Sequence, residues 1–248
     1  MLRFIVGAVV LATGCGGGSG AGGTPVSESE FPSKFASAWC GLQQRCCVAS
    51  GGTSTGSCEA DLTASVTDIG VKATADGATW DGTKAGRCLD GIRAADCAGA
   101  DAAALVALLD TCDDTWTGAV PAGGACMTYA SCAELPVSGD ATAGASCVNS
   151  KCVPIVRQPA GATCDSTTRL CNPLEGACSA GMCVALPGPG QACNGDCKAG
   201  SRCRNNVCEA LLGMGATCAA DSDCVSDRCG GGKCASAFAA EAEYCALP

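Results

Sequence analysis

Cysteine is the residue that most constrains this chain, because 25 of its 248 residues are cysteines. So high a density is typical of exported proteins, in which disulfides replace the apolar burial that a small core lacks. Aromatic residues make up only 4% of the sequence, while 35 residues are glycine. A single large hydrophobic core is therefore not expected, and we predict a small disulfide-rich fold outside the cytosol.

A metal-thiolate protein is the main alternative explanation of so many cysteines. Such proteins present their ligands as C-x2-C or C-x-C, because two sulfurs from one short turn then reach the same ion. Neither spacing occurs here, and apart from the adjacent Cys46 and Cys47 every gap between cysteines is three residues or more. We therefore predict disulfides, with no metal and no cofactor, and keep a metal-thiolate protein as a third option.

The charge balance and the lack of histidine argue against several classes of function. The formal net charge is −9, with 24 acidic residues against 15 basic ones, so we expect no nucleic-acid partner. Histidine is absent, which removes the commonest general base and the commonest nitrogen ligand for zinc. We expect that the chain is not an enzyme.

The N-terminal residues have the pattern of an export signal. A short cationic start, Met1–Arg3, is followed by the apolar run Phe4–Leu11, which has the length of a signal-peptide core and is too short to span a bilayer. The segment that follows ends in Gly14-Cys15 and resembles the bacterial lipobox, with Ala12 where that family usually has leucine. The resemblance implies cleavage after residue 14 and lipidation of Cys15.

Two further features favour the lipid anchor. Residues 16–24 are mostly glycine, which predicts a flexible tether over residues 15–30 that holds the folded body off a surface. Removing Cys15 from the count leaves 24 cysteines, an even number that can pair completely. The expected location is the outer membrane or cell surface, with the membrane bound through the N-terminal lipid. An ordinary secretory signal, giving a secreted protein, is the alternative.

Residues 31–118 show the apolar periodicity of a small all-α bundle. Helices are expected after Pro32 and after Ser57, from Asp81 to about Ala95, and from Asp101 to Cys112. The inward-facing residues are Phe35, Trp39, Leu42 and Cys46 in the first helix, Cys58, Leu62, Val66 and Ile69 in the second, Cys88, Leu89 and Ile92 in the third, and Leu105, Leu108 and Leu109 in the fourth. The seven cysteines expected to join these helices are Cys40, Cys46, Cys47, Cys58, Cys88, Cys97 and Cys112.

Residues 119–238 are interpreted as an array of four repeats with sixteen cysteines, and residues 239–248 as a C-terminal tail. Each repeat opens with Gly-x-x-Cys and closes with two cysteines separated by four residues. The repeat cysteines are Cys126, Cys132, Cys147 and Cys152; Cys164, Cys171, Cys178 and Cys183; Cys193, Cys197, Cys203 and Cys208; Cys218, Cys224, Cys229 and Cys234. Between Cys126 and Cys234 the only aromatic residue is Tyr129, so these repeats cannot fold on burial alone.

The residues at the centre of each closing gap predict a tight β-hairpin. They are Asn149-Ser150, Ala180-Gly181, Asn205-Asn206 and Gly231-Gly232, mostly types that tolerate positive φ. Such a hairpin places its two cysteines on one face, aimed at the first two cysteines of the repeat. We predict crosswise pairing, first to third and second to fourth, which gives Cys218–Cys229 and Cys224–Cys234 in the last repeat. A bridge across the hairpin itself is the alternative, although it closes a smaller loop and stabilises less.

The last cysteine, Cys245, follows an alanine-rich segment, Ser236–Tyr244, that is predicted to be helical. Because the helical region holds an odd number of cysteines, Cys245 would restore an even count there. We predict that it bridges back to that region, at Cys112, and so folds the array against the helices.

Two features of the sequence, the last repeat and the order of segments, resemble those of known protein families. The last repeat, with Gly215-Ala-Thr-Cys218, Asp223-Cys224, Cys229 and Gly-Gly-Lys233-Cys234, resembles the Dickkopf N-terminal cysteine-rich module. The order of lipobox, helical segment carrying Arg45-Cys46-Cys47 and cysteine repeats is similar to cysteine-rich surface lipoproteins of myxobacteria. The resemblance implies an extracytoplasmic protein of unassigned function. The first two repeats depart from it by their longer gaps between the second and third cysteines.

Three groups of residues, one of cysteines and two of aspartates, are candidates for redox chemistry or calcium binding. Cys46 and Cys47 have the adjacency of a redox pair, but nothing in the sequence lowers a thiol pKa there, so we expect two structural half-cystines. The acidic groups Asp221, Asp223 and Asp227, and the pair Asp113-Asp114, offer oxygens for calcium. None matches a calcium-loop pattern, and we expect these side chains to be solvated.

The sequence therefore predicts a surface-anchored lipoprotein with a structural or protein-binding role. Its partner is expected to be another protein or an envelope or extracellular polymer. The alternative is a soluble, secreted effector or inhibitor-like protein with the same fold.

Overall fold

The structure is a computed structural model that describes residues 23–54, 58–97, 108, 111–113, 115–133, 143–165, 168–171, 176–239 and 245–246. Twelve disulfides join the cysteines of these residues. The regular secondary structure is a few helices and small antiparallel hairpins. The predicted disulfide-rich class is confirmed at this level. Within the described ranges, no helix is long and apolar enough to cross a bilayer.

The α-helices and strands have the following bounds. The helices are α1 (Phe31–Ala49), α2 (Cys58–Ala75) and α3 (Gly82–Ala94). The strands are β1 (Thr53–Ser54), β2 (Thr79–Trp80), β3 (Trp116–Thr117), β4 (Ala143–Val148), β5 (Lys151–Gln158), β6 (Arg169–Cys171), β7 (Gly176–Ser179), β8 (Met182–Ala185), β9 (Ser201–Arg204), β10 (Val207–Ala210), β11 (Cys229–Gly230), β12 (Lys233–Cys234) and β13 (Cys245–Ala246).

The three helices lie where the apolar periodicity predicts them. Pro32 lies in the first turn of α1, where its missing N–H would have no partner in any case. Asp81 caps α3, because its carboxylate accepts the backbone N–H groups of Thr83 and Lys84 at 3.0 Å each. Of the fourth predicted helix, residues 108 and 111–113 are helical. Leu105 and Leu109 lie outside the described residues, as does Ser57, after which the second helix is predicted.

One apolar core lies between the helices, and we refer to residues 23–97 with 108–117 as the helical head. Phe31, Leu42, Leu89 and Ile92 are at most 2% exposed. The rings of Phe31, Trp80 and Trp116 pack against one another with centroids 4.8 to 5.7 Å apart. Strands β2 and β3 hold the two tryptophans side by side. Such ring pairs contribute roughly 0.5 to 1.5 kcal/mol each beyond the burial of their area.

The segment just after the glycine-rich stretch is packed on α3. Val26 exchanges two hydrogen bonds across the contact, since its N–H donates to the carbonyl of Gly82 at 3.0 Å and its carbonyl accepts from Trp80 Nε1 at 2.9 Å. A Cβ on Gly82 would lie 2.6 Å from the Val26 carbonyl, and one on Gly86 would overlap the Thr24 carbonyl. The prediction of a free tether through residue 30 is therefore wrong, because Gly23 already touches the head.

Four antiparallel hairpins follow along the chain, formed by β4 with β5, β7 with β8, β9 with β10, and β11 with β12. In each hairpin the two cysteines face one another across the strands: Cys147 and Cys152, Cys178 and Cys183, Cys203 and Cys208, Cys229 and Cys234. All eight residues predicted to form the turns have φ between 49° and 78°. The predicted hairpins and their turns are therefore confirmed.

The Gly-x-x-Cys openings each form an isolated antiparallel β-bridge with the second strand of the hairpin. The glycine N–H donates to the carbonyl of the hairpin's second cysteine at 2.7 to 2.8 Å in all four segments. These glycines are Gly123, Gly161, Gly190 and Gly215, and each has φ between 80° and 87°. Positive φ is the reason for glycine at this position, because side chains with a Cβ rarely adopt it.

The end of the chain returns to the helical head. Strand β13 pairs antiparallel with β1, so that Cys245 faces Ser54. The Phe238 ring meets the Trp39 ring edge-on with centroids 6.5 Å apart. Within Ser236–Tyr244, Ala237–Ala239 forms a 3₁₀ turn rather than an α-helix, and residues 240–244 lie outside the described residues.

Candidate functional site

The sixteen cysteines of the four hairpin segments pair crosswise, first to third and second to fourth. The pairs are Cys126–Cys147, Cys132–Cys152, Cys164–Cys178, Cys171–Cys183, Cys193–Cys203, Cys197–Cys208, Cys218–Cys229 and Cys224–Cys234. The predicted connectivity of the last repeat is thereby confirmed, and the alternative bridge across each hairpin does not form in these pairs. The two cysteines that face each other across a hairpin therefore bond to two different cysteines, both of which lie earlier in the same segment.

Half-cystines make up most of the buried core of these segments. The fourth segment buries Cys218, Cys224 and Cys234, with Cys229 packed against them. The second buries Cys164, Cys171 and Cys183. A core this small supplies little hydrophobic stabilisation, so the crosslinks themselves keep each segment folded.

The crossing brings several sulfurs together, which bears on the metal-thiolate alternative. In each segment three Sγ atoms lie within 4.8 Å of one another, as with Cys126, Cys132 and Cys152. All of these sulfurs are bonded in disulfides. A thiolate metal site needs free, deprotonated sulfur, so this arrangement stabilises by crosslinking rather than by binding a metal.

Four disulfides hold the helical head. They are Cys40–Cys58, Cys46–Cys97, Cys47–Cys245 and Cys88–Cys112. Cys245 does bridge back to the head, but the predicted partner Cys112 is wrong. Cys112 lies beside α3, with its Cα 4.7 Å from that of Cys88, whereas β13 pairs with β1 and brings Cys245 to the end of α1.

The adjacent Cys46 and Cys47 act as two separate half-cystines. Cys46 bonds Cys97 and Cys47 bonds Cys245, and both are no more than 1% exposed. Through these two bonds, one turn of α1 is crosslinked both to the segment that follows α3 and to β13. The structural interpretation of this pair is confirmed.

Polar contacts reinforce the return of the chain to the head. The Ser236 hydroxyl donates to the Cys97 carbonyl at 2.9 Å, and the Ser236 N–H donates to the Ser50 hydroxyl at 3.0 Å. Ser236 itself is fully buried. Together with Phe238 and the Cys47–Cys245 disulfide, these contacts form what we name the C-terminal clasp.

The first hairpin segment is also fixed to the head. The Tyr129 hydroxyl donates to the Asp113 carboxylate at 3.0 Å, and burial, with the nearby Asp113 charge, raises the pKa of the Tyr129 phenol. The Met127 N–H donates to the Asp76 carboxylate at 2.8 Å. The region between Tyr129 and Ser236 therefore leaves the head and returns to it. Asp113 serves as a hydrogen-bond acceptor here, and Asp114 lies outside the described residues.

An ion-pair cluster joins the third and fourth hairpin segments beside an open cleft of about 540 Å³. The Arg202 guanidinium from β9 pairs with the buried carboxylate of Asp223 and donates to the Ser222 hydroxyl at 3.2 Å. Asp223 also accepts the N–H groups of Ala219 and Ala220 at 2.7 and 3.0 Å. These backbone hydrogen bonds, followed by Arg202, lower the pKa of Asp223 to about 2.

The expectation of solvated aspartates in this segment is wrong for Asp223. It is 6% exposed, and its carboxylate is paired with Arg202 and accepts the N–H groups of Ala219 and Ala220. Asp221 and Asp227 are exposed as expected, but Asp221 accepts the Cys229 N–H at 2.7 Å. The carboxylates of Asp221 and Asp223 therefore organise the loop before the hairpin.

On the second hairpin, the face opposite the cysteines is directed to solvent. On β8 the alternating residues Met182 and Val184 are 42% and 52% exposed, because Cys183 between them points to the disulfides. On the third hairpin the same face carries Arg202, Arg204 and Glu209. These two hairpins thus present different surfaces on the same pattern of crosslinks.

The predicted lipidation site Cys15 and the signal segment lie outside the described residues. The sequence did not reveal three of the contacts above: the choice of Cys47 for Cys245, the Arg202–Asp223 pair, and the packing of Gly23–Val26. The spacing Gly82-x-x-x-Gly86 is a signal for the third, since two small residues one turn apart allow a backbone to approach a helix closely.

Comparisons with known proteins were made by family, by sequence and by structure. None found a match. No family model fits the chain, and neither curated proteins nor solved structures gave a match.

Proposed function

We propose that this chain is a bacterial lipoprotein, anchored through a lipid on Cys15 to the outer membrane or cell surface, with a structural or protein-binding role. In this proposal the region 119–238 is an array of four small β-hairpin modules, similar to Dickkopf N-terminal repeats, and the protein is not an enzyme. The partner is another protein or an envelope or extracellular polymer.

One observation carries the proposal more than any other. The lipobox-like Cys15 is followed by only seven residues before Gly23, which packs against α3. A signal segment, a modifiable cysteine and a short glycine-rich link therefore lead directly into a disulfide-locked body. This order of parts suits a body that is held close to a membrane and exposed to an oxidising compartment.

The binding role is supported by the exposed faces of the hairpins. Met182 and Val184 form an exposed apolar pair on β8, and exposed apolar groups on a rigid frame suit contact with another protein. Because two disulfides crosslink this hairpin segment, we expect binding to cost little ordering entropy.

Replacing Cys15 by serine tests the anchor. We expect the protein to move from the membrane to the soluble fraction in detergent partitioning, with its thermal unfolding unchanged. Unchanged membrane retention would favour a different attachment. A secreted protein, the alternative, would carry no lipid in either version.

Capture from envelope extract tests the binding role. The bait is residues 16–248 in the oxidised state, since Gly23–Val26 belongs to the folded body. We expect Met182→Ser with Val184→Ser to abolish recovery of the partner. The control, Val48→Ser with Val71→Ser, removes two apolar residues of the head that are even more exposed, at 62% and 64%, and is expected to leave recovery unchanged.

A further inference from the structure

One half-cystine differs from all the others in the described ranges by its exposure to solvent. Among the cysteines of the described disulfides, Cys178 alone is exposed, and each of the others is buried or half-buried. Its partner in the disulfide, Cys164, is 8% exposed. The Cys164–Cys178 bond therefore joins a residue on the surface to a residue inside the second hairpin segment.

The other hairpin segments cover the equivalent cysteine with neighbouring structure. In the first and fourth segments a 3₁₀ turn, Tyr129–Ser131 or Asp221–Asp223, contacts the first strand of the hairpin. In the third segment Cys203 lies in the cleft shared with the fourth. In the second segment the residues that lead to Cys171 form β6, which pairs with β5 of the preceding hairpin. Its described residues include no 3₁₀ turn beside β7, the strand that carries Cys178.

The second disulfide of the same segment is buried at both ends. Cys171 and Cys183 are 8% and 2% exposed, and their bond crosslinks β6 to β8. This bond is protected from thiols in solution because its sulfurs lie inside the segment. Opening of the Cys164–Cys178 bond therefore leaves the segment crosslinked, and the freed Cys164 stays close to Cys178.

We propose that Cys178 is a thiol-exchange site, at which a thiolate of another molecule forms a mixed disulfide with this protein. Exposed disulfides are the labile ones, and the rate of exchange depends on access to the attacked sulfur. This inference goes beyond the proposed binding role and does not depend on the lipid anchor. In the resting protein the Cys164–Cys178 bond is closed.

The exchange step is balanced and reversible. The incoming thiol loses its proton to solvent, its sulfur attacks Cys178 Sγ, and Cys164 leaves as a thiolate that takes up a proton from solvent. Attack by Cys164 on the mixed disulfide reverses the step and releases the incoming thiol. One S–S bond is exchanged for another in each direction, so no oxidant or reductant is consumed.

Exchange with a small thiol on the purified, oxidised protein tests the inference. The protein is treated with β-mercaptoethanol under native conditions, quenched with iodoacetamide at successive times and mapped by peptide mass spectrometry. We expect the first products to carry the β-mercaptoethanol adduct on Cys178 and alkylation on Cys164. The internal control is the Cys132–Cys152 bond, whose residues are 2% and 1% exposed. It should exchange at least about tenfold more slowly, because a buried disulfide is attacked only after local opening. First products at another disulfide, or equal rates, would overturn the inference.

A protein thiol provides the second arm of this experiment. Thioredoxin whose resolving cysteine is replaced by serine retains the mixed disulfide that it forms, because no second thiol can release it. An adduct on Cys178 from both reagents would assign the site to protein thiols as well as small ones. An adduct from β-mercaptoethanol alone would assign it to small thiols.

Two matched variants test which of the two cysteines is attacked. Cys164→Ser and Cys178→Ser remove the same crosslink, but the first leaves a free thiol at Cys178 and the second leaves one at Cys164. We expect Cys178 in the first variant to react with iodoacetamide at least about tenfold faster than Cys164 in the second, because a buried thiol reacts only after local opening. Equal rates would overturn the assignment of Cys178 as the exchange site.

Discussion

Cys47 and Cys245 are joined by a disulfide although 198 positions separate them in sequence, and their Cα atoms lie 5.6 Å apart. This bond closes the largest loop in the described part of the molecule. Both half-cystines are buried, and Ser236 and Phe238 pack beside them on α1. The region that contains the hairpins is therefore fixed to the helical head at both of its ends.

Removing the clasp disulfide is expected to release the C-terminal segment without unfolding the head. For Cys47→Ala with Cys245→Ala, chain-entropy models give a loss of about 4 to 5 kcal/mol, reduced where other disulfides already shorten the loop. Hydrogen exchange under non-reducing conditions should show faster exchange in residues 235–246, while helical circular dichroism is retained. Unchanged exchange there would mean that Phe238 and Ser236 hold the segment alone.

Asp223 is expected to confer a stability that depends on pH. Because its pKa is lowered to about 2 in the folded protein, its charged form stabilises the fold above its ordinary pKa, and this stability is lost as the pH falls toward 2. Thermal melting should show Asp223→Asn less stable than the parent at neutral pH, with the difference vanishing between about pH 4 and 2. Asp196→Asn, which removes an exposed carboxylate from the same cleft, is the control and should show no such difference.

Glycine substitutions should distinguish a packing contact from a simple helix preference. Gly86→Ala places a Cβ on the Thr24 carbonyl, so we expect it to displace Gly23–Val26 and to lower the free energy of unfolding. Gly41→Ala in α1 meets only the end of the Arg45 side chain at 3.9 Å and should stabilise by about 0.5 to 1 kcal/mol. Urea unfolding of both variants provides the measurement. Equal effects would show that the N-terminal segment is not packed on α3.

The last hairpin segment is expected to unfold locally when its two disulfides are removed. Its core consists of half-cystines, so replacing Cys218, Cys224, Cys229 and Cys234 by alanine leaves too little apolar burial to fold it. Limited proteolysis should then cut within residues 218–234, while the head keeps its helical circular dichroism. Resistance to protease throughout would show that neighbouring contacts, such as Arg202–Asp223, suffice.

Local features of this fold were predictable from the sequence, whereas the long-range contacts were not. Asn205-Asn206 forms its turn because those residues tolerate positive φ, and the register that follows places Cys203 opposite Cys208. Crosswise pairing then follows from geometry within a short segment. The partner of Cys245 depends instead on the path of the whole chain. The odd number of cysteines in the helical head indicates only that the partner lies in the head. The sequence predicted a solvated Asp223. That prediction fails because Arg202, which pairs with its carboxylate, lies in a different hairpin.

The mass of the protein purified from the envelope, before and after reduction and alkylation, tests the central claim most directly. The account predicts a chain that begins at Cys15 and carries acyl lipid on that residue. It also predicts no alkylation without reductant, and after reduction alkylation of the 24 remaining cysteines. A mature chain that begins elsewhere and carries no lipid, or free thiols before reduction, would contradict it.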